Sequence, residues 1–199
     1  MYGLSRMTVR GVLTKLVNDG LLLRVPGKGT YVAPSKINAV SPAYRGIREQ
    51  LEALGYSTTT RLVSFEREAA TSVVRDRLGL ARGDEVYVIV RVRSVQGEPI
   101  SIHRSHVPAT LAPALDDQDV VSEQLCVVLE RNYGLPMRHV KEHLEAVAVT
   151  GTEAKQLDMH RGDPALLLHD VIADDERPFE YSTIVFRGDR LRLTFDYSL

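Results

Sequence analysis

Apolar and polar positions along the chain change period repeatedly, and each change marks the border of an element. After Ser5, Val9, Val12, Leu13 and Leu16 recur at three- and four-residue steps. This spacing predicts a short amphipathic helix, capped by the Ser5 hydroxyl and ended by Gly20. Leu21–Val25 then reads as a strand, 26–29 as a tight turn and Thr30–Val32 as the returning strand, because Pro and Gly punctuate two short β-prone runs. Residues 33–42 follow neither period and are rich in proline and small residues, which predicts a connection between two folded units.

Beyond it, Ile47, Leu51 and Leu54 mark one face of a helix over 44–54, closed by Gly55. Thr58–Phe65 alternates as a strand, and Ala70–Leu78 with Gly79 forms a second short helix. Glu85–Ser94 and Pro99–Val107 read as two strands joined at Gln96–Gly97. Leu111 and Leu115 suggest a short helix, and Ser122–Tyr133 a longer one stopped by Gly134. A strand over Met137–Val149, a helix over Glu153–Met159 and a strand over Ala165–Ala173 follow. After a turn at Asp174–Glu176, Phe179–Arg187 and 191–197 are expected to pair about Gly188–Asp189. The sum is an α+β fold, an antiparallel sheet with helices inserted between its strands.

The chain's 199 residues accommodate one domain-sized core and a smaller piece. The boundaries that follow are 1–34 for the helix and hairpin, 35–42 for the connection and 43–199 for the sheet domain. No apolar run reaches membrane-spanning length and no signal-like segment opens the chain, so a cytoplasmic location is expected. Cys126 stands alone, which excludes an internal disulfide and a cysteine metal cage. The formal charge of −1 conceals an uneven distribution: residues 1–36 carry net +5 and the remainder net −6. A basic front end on an acidic body points to a polyanionic partner, against the plainer reading of an ordinary solvated helix and hairpin.

The first helical turns carry Ser5, Arg6, Thr8 and Arg10, hydrogen-bond donors that suit phosphate oxygens and guanine edges in a DNA major groove. Gly27 and Gly29 leave the hairpin tip bare, so that Lys28 and the backbone at Gly29 can approach a phosphate chain. In the second region, Arg91 and Arg93 lie two apart on a strand and share a face. Two guanidinia there require either an anionic ligand or carboxylates such as Glu85 and Glu98 across the hairpin, and both readings stand at this point. His139 and His143 have a metal-like spacing only if helical, whereas their surroundings read as a strand without further ligands nearby, so no metal or other cofactor is expected. Asp116, Asp117 and Asp119 read as a solvated loop, and Asp189 as a turn-fixing residue.

The run LSRMTVRGVLTKLVNDGLLLRVPGKGTYV is similar to the recognition helix and wing of the GntR family of winged-helix bacterial regulators. The blocks GDEVYVIVRVRSVQGEPI, LERNYGL and RPFEYSTIVFRGDRLRLTF resemble the effector-binding UTRA domain of that family's HutC-type branch, over roughly residues 40 to 199. The resemblance implies that Ser5, Arg6, Arg10, Lys28 and Gly29 lie at the DNA, where Thr8 joins them by its place on the helix. It implies a chorismate-lyase-like six-stranded antiparallel sheet with flanking helices, which usually dimerises. It also implies that Arg91 and Arg93 line an effector pocket and that Glu180 accepts hydrogen bonds from the effector. It places His103, Gln124 and Phe186 among the effector-binding positions, with Phe186 where tyrosine is frequent. His103, Gln124 and Cys126 depart from the sugar-binding relatives, which points away from an amino-sugar phosphate and leaves a small anion as the expected effector.

The family carries two helices before the recognition helix, and only Met1-Tyr2-Gly3 precede it here. This implies a partial winged helix and weak or absent operator binding. The expected function is a homodimeric, DNA-binding transcriptional regulator, a repressor, controlled by a small metabolite that shifts the population between two arrangements. The rival readings are a chorismate-lyase-like enzyme and an isolated sensing and dimerisation module. The enzyme reading has no nucleophile with an adjacent base and no phosphate loop to support it.

Overall fold

The structure is a computed structural model that describes residues 5–18, 21–25, 27–32, 36–40 and 47–195. Tertiary contacts gather into two units, Met1–Ile37 and Asn38–Leu199.

In the first unit, α1 spans Arg6–Asn18 and is followed by β1 (Leu22–Val25) and β2 (Gly29–Val32). Ser5 caps α1 as expected, its Oγ accepting a hydrogen bond from the Thr8 backbone N–H at 3.1 Å. The two strands pair antiparallel from Leu22↔Val32 to Val25↔Gly29. Gly27 and Gly29 have φ of 74° and 118°, a region L side chains rarely adopt, which is why the tip is glycine-rich. The expected helix end at Gly20 and the turn proline at 26 lie outside the described residues. The apolar side of α1 does not reach a core: no residue of the helix is buried, and Val9 and Val12 are 42% and 53% exposed.

The second unit is built on six strands in the order β4-β5-β6-β9-β8-β7: β4 Thr58–Ala69, β5 Glu85–Val95, β6 Glu98–Pro108, β7 His139–Ala148, β8 Pro164–Ala173 and β9 Pro178–Arg187. Every neighbouring pair is antiparallel. The β5–β6 connection is the two-residue turn expected at Gln96 and Gly97, whose φ values of 52° and 85° match the twist of the flanking strands. Helices α2 (Ile47–Ala53), α3 (Ser72–Leu78), α4 (Leu125–Tyr133) and α5 (Gly151–Leu157) fill the connections. The residues 44–46 expected at the start of α2 lie outside the described residues.

Both faces of the central strands are covered. Val86, Val88, Val90 and Val92 of β5 pack with Val74 and Leu78 of α3 and Ala154 and Leu157 of α5. Tyr87 and Ile89 face the other way, against Leu115, Leu125, Val128 and Leu129. Period-two alternation along one strand thus feeds two cores, which is why β5 reads as a nearly unbroken apolar run. Each fully buried leucine or isoleucine contributes roughly 1.5–3 kcal/mol.

Four expectations are corrected. β9 does not pair with the following strand, because its two edges are taken by β6 and β8. Instead β10 (Leu191–Thr194) pairs with β3 (Ile37–Val40), so part of the expected connection is a strand; residues 33–35, 41–46 and 196–199 lie outside the described residues. The helix expected from Ser122 starts only at Leu125, because the Asp119 carboxylate accepts the N–H groups of Val121 and Ser122 and holds that stretch as a turn. The short helix expected from Leu111 is one 3-10 turn, Leu115–Asp117, preceded by Ala114 at φ 56°.

Gly188 closes the turn after β9, and a Cβ there would stand 2.9 Å from the Pro164 carbonyl oxygen. Because backbone must move to relieve that contact, Gly188→Ala is expected to lower stability by roughly 1–3 kcal/mol, read as a drop in the urea midpoint at unchanged m-value. Asp189 clamps the same turn through a bidentate pair with Arg187, at 2.7 and 3.1 Å.

Candidate functional site

On one face of the sheet, β5 presents Arg91 and Arg93, β6 His103 and Ser105, β9 Glu180, Ser182 and Ile184, and β8 Asp170 and Ile172. The antiparallel register stacks these positions across the strands, as in Ser105↔Ser182 and Ser182↔Asp170. Gln124, Leu125, Cys126 and Met137 roof them and leave an open-mouthed cavity of about 560 Å³, counted with the solvent at its mouth.

Arg91 is 3% exposed. It donates to the Val120 carbonyl at 3.2 Å and to Ser105 Oγ at 3.1 Å, and Ser105 in turn hydrogen-bonds Glu180. Burial pulls the Arg91 guanidinium pKa down and pushes the Glu180 carboxyl up, each against the pull of the other's charge. A guanidinium keeps its proton under these conditions, so Glu180 faces a permanent cation across Ser105.

Arg93 is 8% exposed and is the less satisfied of the two: its Nε and Nη1 are both buried without a hydrogen-bond partner in the protein, whereas in Arg91 only Nε is. Burial first, then the neighbouring Arg91 and Arg48, pull its pKa down to about 9. The carboxylates once available as partners are engaged elsewhere, Glu85 with Arg67 at 2.6 Å and Glu98 with Arg190 at 2.8 Å. Of the two readings left open above, compensation across the hairpin is therefore not realised.

His103 Nε2 is 2.9 Å from Ser101 Oγ, and burial with Arg93 and Arg91 nearby holds its pKa well below the usual range, so it is a neutral hydrogen-bonding group. Gln124 lies at the cavity and Cys126 beside it, with the thiol pushed up by burial and by Glu180; a protonated thiol is a poor nucleophile. Phe186 is a correction. It is fully buried and packs edge-on against His103, ring centroids 6.2 Å apart, rather than lining the cavity. Sequence reasoning missed Ser105, Ser182 and Asp170. The signal for Asp170 was a lone carboxylate inside the otherwise apolar run ALLLHDVIA.

At the other unit, Ser5, Arg6, Thr8, Arg10, Lys28 and Gly29 are all exposed. Ser5 and Thr8 spend their hydroxyls partly on each other, at 2.9 Å, while among the described residues no ion pair engages Arg6, Arg10 or Lys28. Both histidines of the metal-like pair sit on β7, where four residues place their backbones ~13 Å apart. Among the described residues no helix is long and apolar enough to cross a membrane.

Comparison with known proteins agrees with this division. A model of the UTRA domain matches residues 53–192, and a model of the bacterial regulatory proteins of the gntR family matches residues 1–32. The chain is 33% identical over 190 residues to the HTH-type transcriptional repressor NagR of Bacillus subtilis, covering 95% of this chain and 78% of that protein. It is 28% identical over 196 residues to the histidine utilization repressor of Pseudomonas putida, covering 98% and 78%. Among solved structures, PhnF from Mycobacterium smegmatis superposes with a TM-score of 0.78 at 26% identity, over 99% of this chain and 87% of that one. The exposed basic helix and hairpin, the arginine-lined cavity and these likenesses converge: the chain belongs to the GntR family of bacterial transcriptional regulators, in its UTRA-bearing branch, and not to a family of enzymes.

Proposed function

We propose that the protein is a cytoplasmic, homodimeric repressor whose hold on its operator is set by a small anion bound between Arg91 and Arg93. Residues 1–34 supply the DNA contacts through Ser5, Arg6, Thr8, Arg10, Lys28 and Gly29, and residues 43–199, together with β3 from the 35–42 stretch, sense and dimerise. Arg93 carries this reading: a buried guanidinium with two donors unpartnered in the protein, at a cavity wall, costs stability that a ligand supplying an acceptor recovers. Arg91, His103, Gln124 and Glu180 surround the same space.

The roof of the cavity offers a route outward. Arg91 holds the Val120 carbonyl, and Arg48 of α2 donates to the Ser122 carbonyl at 2.7 Å. A ligand that redirects Arg91 changes what α2 is tied to, and a coupling of about 1–3 kcal/mol suffices for regulation.

Arg93→Met tests the anion site. Removing a buried, uncompensated cation is expected to stabilise the empty protein by roughly 1–4 kcal/mol while abolishing the rise in melting temperature that phosphorylated or carboxylated metabolites give the wild type. A variant that still responds to those anions would refute the assignment. For the DNA, the exposed apolar side of α1 leaves that helix little burial to hold it. The 199-residue chain is therefore expected to bind operator weakly, and a gel shift showing tight, sequence-specific binding would contradict this.

A further inference from the structure

We propose that the cavity takes an elongated ligand with an anionic group at one end, held by Arg93, and a protonated amine at the other, held by Asp170 with Glu180 beside it. The proposal rests on the reading of this cavity as the effector site and specifies the ligand's chemistry.

Asp170 is the acidic group of the cavity wall with an unsatisfied buried atom, beside the guanidinia of Arg91 and Arg93. It is 5% exposed, its Oδ1 is buried without a partner, and its Oδ2 has only a long contact of 3.4 Å from the Ser182 hydroxyl. Arg93 and Asp170 are thus orphans of opposite sign facing one space, and neither satisfies the other. Register explains why. The row Ile89↔Ser105↔Ser182↔Asp170 crosses three strand spacings, ~14 Å between the backbones at its ends, and Arg93 lies two further rows along β5. Even with the reach of the arginine side chain, the two groups do not pair directly, and an elongated molecule is what can reach both. A ligand whose charges share one carbon, as in an α-amino acid, is too short to engage both. Positive charge is favoured at the Asp170 end because two further carboxyl groups stand near it: Glu142 is its register partner on β7, and Glu180 lies on β9.

Protonation adds an independent signature. Burial, then Glu142 and Glu180, push the Asp170 carboxyl up to about 8, so it is largely neutral in the empty cavity at pH 7. The other titratable or charged groups of the cavity wall are Arg91 and Arg93 from β5, His103 from β6 and Cys126 from α4. Burial keeps His103 neutral and Cys126 protonated at that pH. Seating an ammonium group on Asp170 must therefore expel the Asp170 proton.

The test is isothermal titration calorimetry of the full chain with ω-aminoalkyl phosphates of graded length, n-alkyl phosphates of matched length and inorganic phosphate. On the wild type, the amine-bearing compounds of intermediate length should bind about tenfold or more tightly than their amine-free counterparts, the gain of one charged hydrogen bond. They should also release close to one proton at pH 7, read from buffers of different ionisation enthalpy. Asp170→Asn should erase the advantage and the proton release while leaving the n-alkyl phosphates unchanged. Equal affinity of the paired compounds for the wild type overturns the proposal, as does an advantage that survives in Asp170→Asn. If n-alkyl phosphates bind through Arg93, as judged by their loss in Arg93→Met, and the amine adds nothing, only the amine site falls. If no member of the series binds, the anion site falls with it.

Discussion

Replacing Arg91 with methionine is expected to lower the stability of the sheet domain by about 3–5 kcal/mol at pH 8, the opposite sign to Arg93→Met two residues away. Arg91 donates to Val120 and Ser105, and through Ser105 it compensates the buried Glu180. Its loss strands a carboxylate in the core, whereas Arg93 leaves no protein partner behind at Nε or Nη1. The folded-state pKa of Glu180 is already raised by burial, and removing Arg91, the largest influence lowering it, raises it further. A carboxyl with a raised folded pKa contributes stability that is full below its unfolded value of about 4.3 and is lost as pH climbs through the folded value. The deficit of Arg91→Met should therefore shrink towards pH 4 and widen towards pH 8 in urea titrations. A variant as stable as the wild type at pH 8 would show that Glu180 draws its compensation from elsewhere.

Asp170→Asn should show the largest gain. The folded carboxyl, pushed up to about 8, holds a proton that the unfolded chain surrenders near pH 3.9. Its contribution is complete below that lower value and disappears progressively as pH rises to about 8. The asparagine carries no such dependence. The stability difference between variant and wild type should therefore be near zero at pH 4 and grow to the order of 3–5 kcal/mol at pH 8, then level off. A difference that does not change between pH 4 and pH 8 would mean that Asp170 is ionised in the fold throughout. A residue whose replacement stabilises the protein so strongly is a poor structural choice, which fits a group retained for binding.

These expectations draw on different layers of the molecule. Local spacing was enough for the exposed helix and hairpin, for the shared face of Arg91 and Arg93, and for most strands between Thr58 and Arg187. It was also enough for the turn at Gln96 and Gly97, because two-residue connections are encoded by the residues within them. It failed where a strand's neighbour comes from far along the chain. The hairpin expected after Arg187 gave way to a pairing between residues separated by most of the domain. Phe186, placed at the ligand by likeness to its relatives, lies beneath His103 instead.

The candidate site divides along the same line. Period two, end signals and turn residues determined which side chains point together along a single strand, because that geometry repeats every ~7 Å of one chain and needs no partner. Only the tertiary structure decided that Glu85 and Glu98 are engaged by Arg67 and Arg190, and that Ser105, Glu180 and Asp170 join the arginines around one cavity. Those outcomes depend on the strand order β4-β5-β6-β9-β8-β7, which is set by the burial of apolar side chains from remote segments on both faces of the sheet. A lone carboxylate in β8 and a spare guanidinium in β5 carry no mark in the sequence that they face the same space.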